Sequence, residues 1–258
     1  MLKIDGLTTA YNVGSSKEKI LHENISAEIN QGELICVVGL NGTGKSTLIR
    51  TLLGLQKKSK GKVLYGDNSI EEISIRDLSN LVSVVLTDKI DDAFLKVFDL
   101  VSTARYSYEN INGKLSENDL EIIDNAFKLM KVEHLKFRIF SHLSDGEKQR
   151  VLIARAIAQD TPLIVLDEPV AFIDSPGKIG IMELLKELTS KKDKAILMTT
   201  HDIESALRYA DLFWVLGDKG QFETAITKEI ISKGLINKYF NSSEVVFNSD
   251  TLRFEKKT

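Results

Sequence analysis

The chain has 258 residues, 43% hydrophobic and 28% charged, with a net charge of −3. That length suits one large domain, or one domain with an insertion, around a substantial core. The mildly acidic balance argues against a broad nucleic-acid surface, which needs a basic face, and no run approaches the roughly 18–20 apolar residues of a membrane span. A lone cysteine, Cys36, suits a reducing cytosol and reads as a small core side chain in an apolar run. The opening MLKIDGLTTAY has no apolar stretch of signal-peptide length.

Leu2, Ile4 and Leu7 predict a strand up to Tyr11, followed by a polar turn over Asn12–Glu18. Ile20–Ile29 alternates like an antiparallel strand pair, and Leu34–Val38 is short and wholly apolar, as in a buried parallel sheet. A loop over Gly39–Gly44 leads to a helix predicted over Ser46–Leu55 and ending at Gly54. Gly61–Asn68 reads as a hairpin element and Leu81–Leu86 as a strand. From about Asp91 to Asp160 the period becomes helical. Val97, Leu100, Val101 and Ala104 share one face, as do Ile122, Ile123, Ala126, Phe127, Leu129 and Met130, and Ser116–Asp119 has capping-box spacing. Strands resume at Leu163–Leu166, Ala195–Thr199 and Leu212–Leu216, separated by helices, and Val245–Phe247 with Leu252–Phe254 reads as a terminal hairpin. A strand-rich start and an α/β core thus enclose a mostly helical insert.

Three stretches carry chemistry. Gly39-Leu40-Asn41-Gly42-Thr43-Gly44-Lys45-Ser46 matches G-x-x-x-x-G-K-[ST] between a strand and a helix. Its glycines let backbone N–H groups turn toward phosphates at a helix N-terminus. Lys45 is expected to reach the β- and γ-phosphates and Ser46 to bind Mg²⁺. Pro162–Pro169 is an apolar strand that delivers Asp167 and Glu168 to its C-terminal end, where ligands sit in open α/β sheets. Asp167 is the expected Mg²⁺ partner, and Glu168 the general base or the residue that orients the attacking water. Leu143-Ser144-Asp145-Gly146-Glu147 lies just upstream, with Ser144 to Glu147 again at capping-box spacing and a glycine at a helix start suited to an anion.

This loop, this Leu-Ser-x-Gly-Glu string and this acidic strand end, in this order, resemble the ATP-binding cassette (ABC) ATPases. The resemblance covers about Leu2–Gly217. It implies a P-loop NTPase core of α/β class with an antiparallel β subdomain and a helical subdomain. The ATPase domain would span 1–220, with the helical part inserted at about 88–160, and a short C-terminal extension would follow at 221–258. It implies an ATP site held by Gly39, Asn41, Gly42, Gly44, Lys45, Ser46 and Thr47, with Tyr11 stacked on adenine. His201 would contact the γ-phosphate and steady Glu168. Ser144 and Gly146 would face the γ-phosphate held by a second, head-to-tail subunit, and Asp174 would contact that subunit. Asp145 and Glu147 replace the family's commonest Gly and Gln. Negative charge so near phosphate should not help binding, so both side chains are expected to point away. The family usually ends the Leu81–Leu86 strand with a glutamine that touches Mg²⁺ and water. Thr87 stands there instead, and the contact then runs through water or involves Asp88.

Leu100–Tyr106 resembles the importers of ferric siderophores, haem and cobalamin, with Ala104 and Ser107 in place of that group's Gly and Pro. The implied assembly is a homodimer, closed by ATP and Mg²⁺, under two membrane-spanning permease subunits. It would lie on the cytoplasmic face of the membrane and be fed by a substrate-binding protein, with no nucleic acid involved. An exporter ATPase would share these motifs. A soluble cassette acting on DNA or ribosomes would usually carry long coiled-coil insertions or a second cassette. A stand-alone P-loop kinase or GTPase would leave Leu143–Glu147 and His201 unexplained.

Overall fold

A computed structural model describes residues 1–87, 90, 93–108, 114–240 and 244–257, apart from the side chains of 107, 108, 192 and 219. Asp88, and Asp91 at the expected start of the helical region, lie outside the described residues. The chain opens with β1 (Leu2–Tyr11), β2 (Lys19–Ile29) and β3 (Leu34–Gly39), then α1 (Lys45–Leu52), β4 (Lys60–Tyr65), β5 (Asn68–Ser69), α2 (Ile75–Leu81) and β6 (Val82–Val85). Helices α3 (Val97–Ser102), α4 (Glu117–Met130) and α5 (Asp145–Ala158) follow. The α/β pattern then resumes with β7 (Leu163–Asp167), α6 (Ser175–Lys192), β8 (Ala195–Thr199), α7 (Ile203–Tyr209), β9 (Leu212–Leu216) and β10 (Phe222–Ile226). Helices α8 (Thr227–Ser232) and α9 (Leu235–Phe240) precede the terminal hairpin β11 (Val245–Asn248) and β12 (Arg253–Lys256).

Six strands form the central sheet in the order β10-β9-β3-β8-β7-β6. All its pairs are parallel except β10–β9. Its unbroken apolar runs are explained by burial on both faces. Leu34, Cys36 and Val38 point into one core with Ile164, Leu166, Ile196, Met198, Phe213 and Val215. Ile35 and Val37 point into the other with Leu163, Val165, Leu197 and Trp214. The first core is closed by α3, α4 and α5 through Val101, Phe127 and Val151. The second is closed by the antiparallel sheet β2-β1-β4-β5 through Leu2, Ile4 and Val63.

Several local expectations shift. Ile20–Ile29 is one long strand, and its antiparallel partner is β1, with register shifts from Ile4 onward. The helix after the phosphate loop starts one residue earlier, at Lys45, and stops at Leu52, before Gly54. Leu81 closes α2, which Ser74 caps by accepting from the Asp77 N–H, so the strand expected from Leu81 begins at Val82. Ala104 is buried with Val97, Leu100 and Val101 but lies in the 3-10 turn after α3. The extension expected to begin at 221 starts inside the core sheet, because β10 completes a hairpin with β9.

The helical layer is tied by a buried ion pair. Arg105 Nε donates to Asp119 Oδ1 at 2.8 Å, with the two side chains only 6% and 8% exposed. Arg105 also donates to the Ala158 carbonyl at the end of α5. Asp119 in turn completes the Ser116 capping box that starts α4.

Candidate active site

Strand β3 ends in the glycine loop. A Cβ on Gly39 would lie 2.6 Å from both the Leu216 carbonyl oxygen and Thr43 Oγ1, so no larger residue fits where the loop leaves the sheet. The Thr43 hydroxyl donates to the Leu40 carbonyl and closes the turn. Gly44, with φ of 91°, caps α1. The first helical bond runs from the Leu48 N–H to the Gly44 carbonyl. The N–H groups of Lys45, Ser46 and Thr47 therefore have no helical acceptor and form the positive end of the helix. Asn41, Gly42 and Ser46 are exposed, whereas Thr47 is buried and offers a ligand its backbone N–H. Lys45 Nζ donates to the Gly39 and Leu40 carbonyls at 2.8 and 3.2 Å. Burial pushes its pKa down, and the charges of Glu168 and Asp167 oppose that shift from the end of β7.

Asp167 is buried at that strand end. Its Oδ1 accepts from the Thr199 hydroxyl at 2.5 Å, and the same hydroxyl oxygen accepts from the Glu168 N–H at 2.9 Å. Glu168 has a φ of 52°, a left-handed conformation uncommon outside glycine. The Thr199 hydroxyl thus holds the Asp167 carboxylate and the Glu168 backbone at this turn. Glu168 Oε1 is 2.5 Å from His201 Nε2, so the ring nitrogen donates to the carboxylate. Both residues open onto a cleft also lined by Lys178, Thr200 and Asp202. Sequence reasoning passed over Thr199. Its signal was a hydroxyl closing the otherwise apolar run Ala195–Met198. Thr87 is exposed two residues beyond β6. The last β6–β7 pair is Val85 with Leu166, so Thr87 leaves the sheet at the same edge as the strand end that carries Asp167 and Glu168. Tyr11 is 47% exposed at the end of β1.

Ser144, Gly146 and Asp174 lie together in a second cleft, lined also by Asp145, Glu147, Arg150 and Phe172, which shares no residue with the Glu168–His201 cleft. Ser144 caps α5, and here one expectation is corrected. Glu147 does not point away. Its Oε2 accepts from the Ser144 N–H at 2.9 Å and from the Ser144 hydroxyl at 2.8 Å. The reason is local: a carboxylate in the first turn satisfies orphan donors and favours the helix dipole. The Ser144 N–H, then its hydroxyl, hold the Glu147 carboxyl below the usual carboxylate range, with smaller help from Arg138 and His134. Asp145 is exposed.

Residues 22–171 match the ABC transporter family. The ABC transporter ATP-binding protein MJ0873 of Methanocaldococcus jannaschii is 36% identical over 95% of this chain and 85% of its own length. The petrobactin import ATP-binding protein FpuD of Bacillus anthracis is 31% identical over 93% of this chain and 86% of its own. Among solved structures, a metal-chelate type ABC transporter in an inward-facing conformation superposes with a TM-score of 0.79 at 25% identity, over 98% of this chain and 94% of that one. The dimeric ABC transporter cassette MJ0796 gives 0.78 at 26% identity, over 88% and 99%.

Proposed function

The chain belongs to the ABC transporter family and is an ATP-binding, ATP-hydrolysing subunit, and we propose that it powers import of a metal chelate of the ferric siderophore, haem or cobalamin kind. As a member of the family it works as a dimeric cassette with permease subunits. The observation that carries the catalytic reading is the placement of Lys45 just after β3 and of Asp167 and Glu168 at the end of β7, on either side of β8 and near enough for both carboxylates to act on the lysine charge, with Glu168 held by His201. The import reading draws on the petrobactin importer subunit and the metal-chelate transporter, together with the Leu100–Tyr106 string. The site would lie on the cytoplasmic face of the membrane, reached through permeases. Among the described residues, no helix is long and apolar enough to cross a membrane itself. A substrate-binding protein would deliver the chelate from the other side.

In the proposed reaction, Lys45 exchanges the Gly39 and Leu40 carbonyls for β- and γ-phosphate oxygens, and the free N–H groups at the start of α1 take the remaining phosphate charge. Tyr11 offers its exposed ring to the adenine. Glu168, fixed in direction by His201, takes the proton of the attacking water or orients that water. The exposed Ser46 hydroxyl and the Asp167 carboxylate are hard oxygen donors suited to Mg²⁺, which would neutralise charge on the phosphates. The second cleft supplies Ser144 and Gly146 to the ATP of a facing subunit and Asp174 to a contact with that subunit.

The test is reconstitution of the chain with its permease pair and binding protein in vesicles. ATP-dependent uptake of a ferric siderophore, haem or cobalamin, lost in Glu168→Gln, is the expected result. ATP-dependent efflux, or transport that persists in Glu168→Gln, overturns the proposal.

A further inference from the structure

His22 is a buried histidine that the proposed reaction does not use. It lies on β2 opposite Thr9 of β1 and is 0% exposed. Both ring nitrogens are engaged. Nε2 lies 2.7 Å from the carbonyl oxygen of Thr43, inside the glycine loop, and Nδ1 lies 2.7 Å from Thr9 Oγ1. A carbonyl oxygen can only accept, so Nε2 carries the proton and donates. Nδ1 is then a lone pair, and the Thr9 hydroxyl donates to it. The two partners together select one neutral tautomer. Burial, the larger influence, also disfavours the charged ring, against the pull of the Thr43 carbonyl.

The ring also fills the space under the loop. A Cβ on Gly44 would fall 2.7 Å from His22 Cε1 and 3.2 Å from Nε2, so the glycine that caps α1 leaves room for this imidazole. The Thr43 N–H and hydroxyl both turn back to the Leu40 carbonyl, whereas the Thr43 carbonyl reaches out of the loop to His22. One residue on, past Gly44, the N–H groups from Lys45 to Thr47 are those without a helical acceptor at the helix start. Thr9 stands two residues before Tyr11 on the same strand, so the same bonds link the proposed base-stacking end of β1 to the loop.

We propose that His22 is a positioning residue for the phosphate loop: a neutral imidazole strut, held as the Nε2–H tautomer by Thr9, that fixes the Thr43 carbonyl and so sets the loop N–H groups for the triphosphate. The proposal rests on the reading of Gly39–Ser46 as the phosphate site, and Lys45→Ala tests that reading separately. If Lys45→Ala leaves ATP affinity unchanged, the site assignment fails. If Lys45→Ala weakens binding while the His22 and Thr9 variants do not, only the strut fails.

The experiment uses the full chain and measures ATP affinity by equilibrium binding, KM and kcat, thermal stability, and ¹⁵N NMR with labelled histidine. The wild type should show a protonated Nε2 and an unprotonated Nδ1 at His22. His22→Leu should weaken ATP binding about five- to tenfold, the worth of one buried hydrogen bond, and raise KM more than it lowers kcat. His22→Gln, which keeps an N–H donor for the Thr43 carbonyl, should recover most of that loss. Thr9→Val leaves the ring in place but removes the hydroxyl that anchors Nδ1, so it should weaken ATP binding as well, and Thr9→Val should add nothing in a His22→Leu background. A folded His22→Leu with wild-type ATP affinity, or an Nδ1–H ring in the wild type, overturns the proposal. If His22→Leu does not fold, Thr9→Val decides: weakened ATP binding with retained stability supports the strut, and unchanged binding overturns it.

Discussion

Glu147→Gln should strengthen ATP-driven dimerisation. The Glu147 carboxylate occupies the Ser144 N–H and hydroxyl, the donors that a γ-phosphate from a facing subunit would use. Asp145 and Asp174 add negative charge to the same cleft, with Arg150 as counter-charge. A phosphate oxygen that took the Ser144 donors would stand roughly 5 Å from the displaced carboxylate. At that distance two unit charges repel by about 0.8 kcal/mol in water and about 3 kcal/mol near a protein surface. Glu147 is only partly buried, so the lower part of that range applies, or about four- to tenfold in the dimer dissociation constant. Glutamine keeps an oxygen for the Ser144 N–H, so the α5 cap should survive and thermal stability should change by less than about 1 kcal/mol. The assay is sedimentation at saturating ATP in a Glu168→Gln background, where hydrolysis does not dissolve the dimer. The gain should shrink as salt rises, because the Debye length falls from about 10 Å at 0.1 M to about 3 Å at 1 M. Unchanged or weaker dimerisation in Glu147→Gln would refute the view that this carboxylate competes with phosphate.

Lys45→Ala should weaken ATP binding about ten- to a hundredfold, since a bond to a charged group is worth about 1.5–3 kcal/mol, whereas Glu168→Gln should keep ATP affinity and lose about 10²–10⁴ in turnover. Equilibrium binding and phosphate release separate the two, and near wild-type hydrolysis in Glu168→Gln would remove Glu168 as base. Thr87→Gln should raise the basal ATPase of the free subunit by up to about ten- to a hundredfold and reduce its stimulation by permease, because the longer amide reaches toward the water beside Glu168. Equal rates in both settings would show that Thr87 does not stand in the glutamine's place. Asp119→Asn takes the carboxylate away from the buried Arg105 guanidinium, which keeps its bond to the Ala158 carbonyl, and should cost up to about 3–5 kcal/mol at pH 7, a fall of up to roughly 6–20 °C in Tm. Burial raises the Asp119 pKa, but its bonds to Ser116 and Arg105 outweigh that and hold the carboxyl below its ordinary value. The stabilisation is therefore present above the unfolded value of about 3.9 and lost as pH falls through the folded one. The gap in urea midpoint between wild type and variant should narrow below about pH 4, and a gap independent of pH would show that the carboxylate charge contributes nothing.

The sequence determined the elements whose signals are local. Leu34–Val38 read as a buried parallel strand because a strand covered on both faces has no polar positions to show, and Leu163–Leu166 and Ala195–Thr199 read as strands from their short apolar runs. The chemistry of Gly39–Ser46 was legible because backbone N–H groups can turn inward only through glycines at fixed spacing. The Ser144 and Ser116 caps followed from a three-residue spacing that a single helical turn enforces. What only the tertiary structure decided was whatever depends on distant segments. The short helix α2 and the edge strand β10 are held by neighbours rather than by their own periodicity. Thr199 was invisible because its importance comes from lying one strand away from Asp167 and Glu168. Glu147 was misread because charge reasoning looked at an absent phosphate, while the nearest unsatisfied donors were those of Ser144. His22 gave no sign at all. A histidine in an alternating strand is defined by what sits on either side of its ring, and Thr9 and the Thr43 carbonyl meet there only once β1, β2 and the glycine loop have packed together.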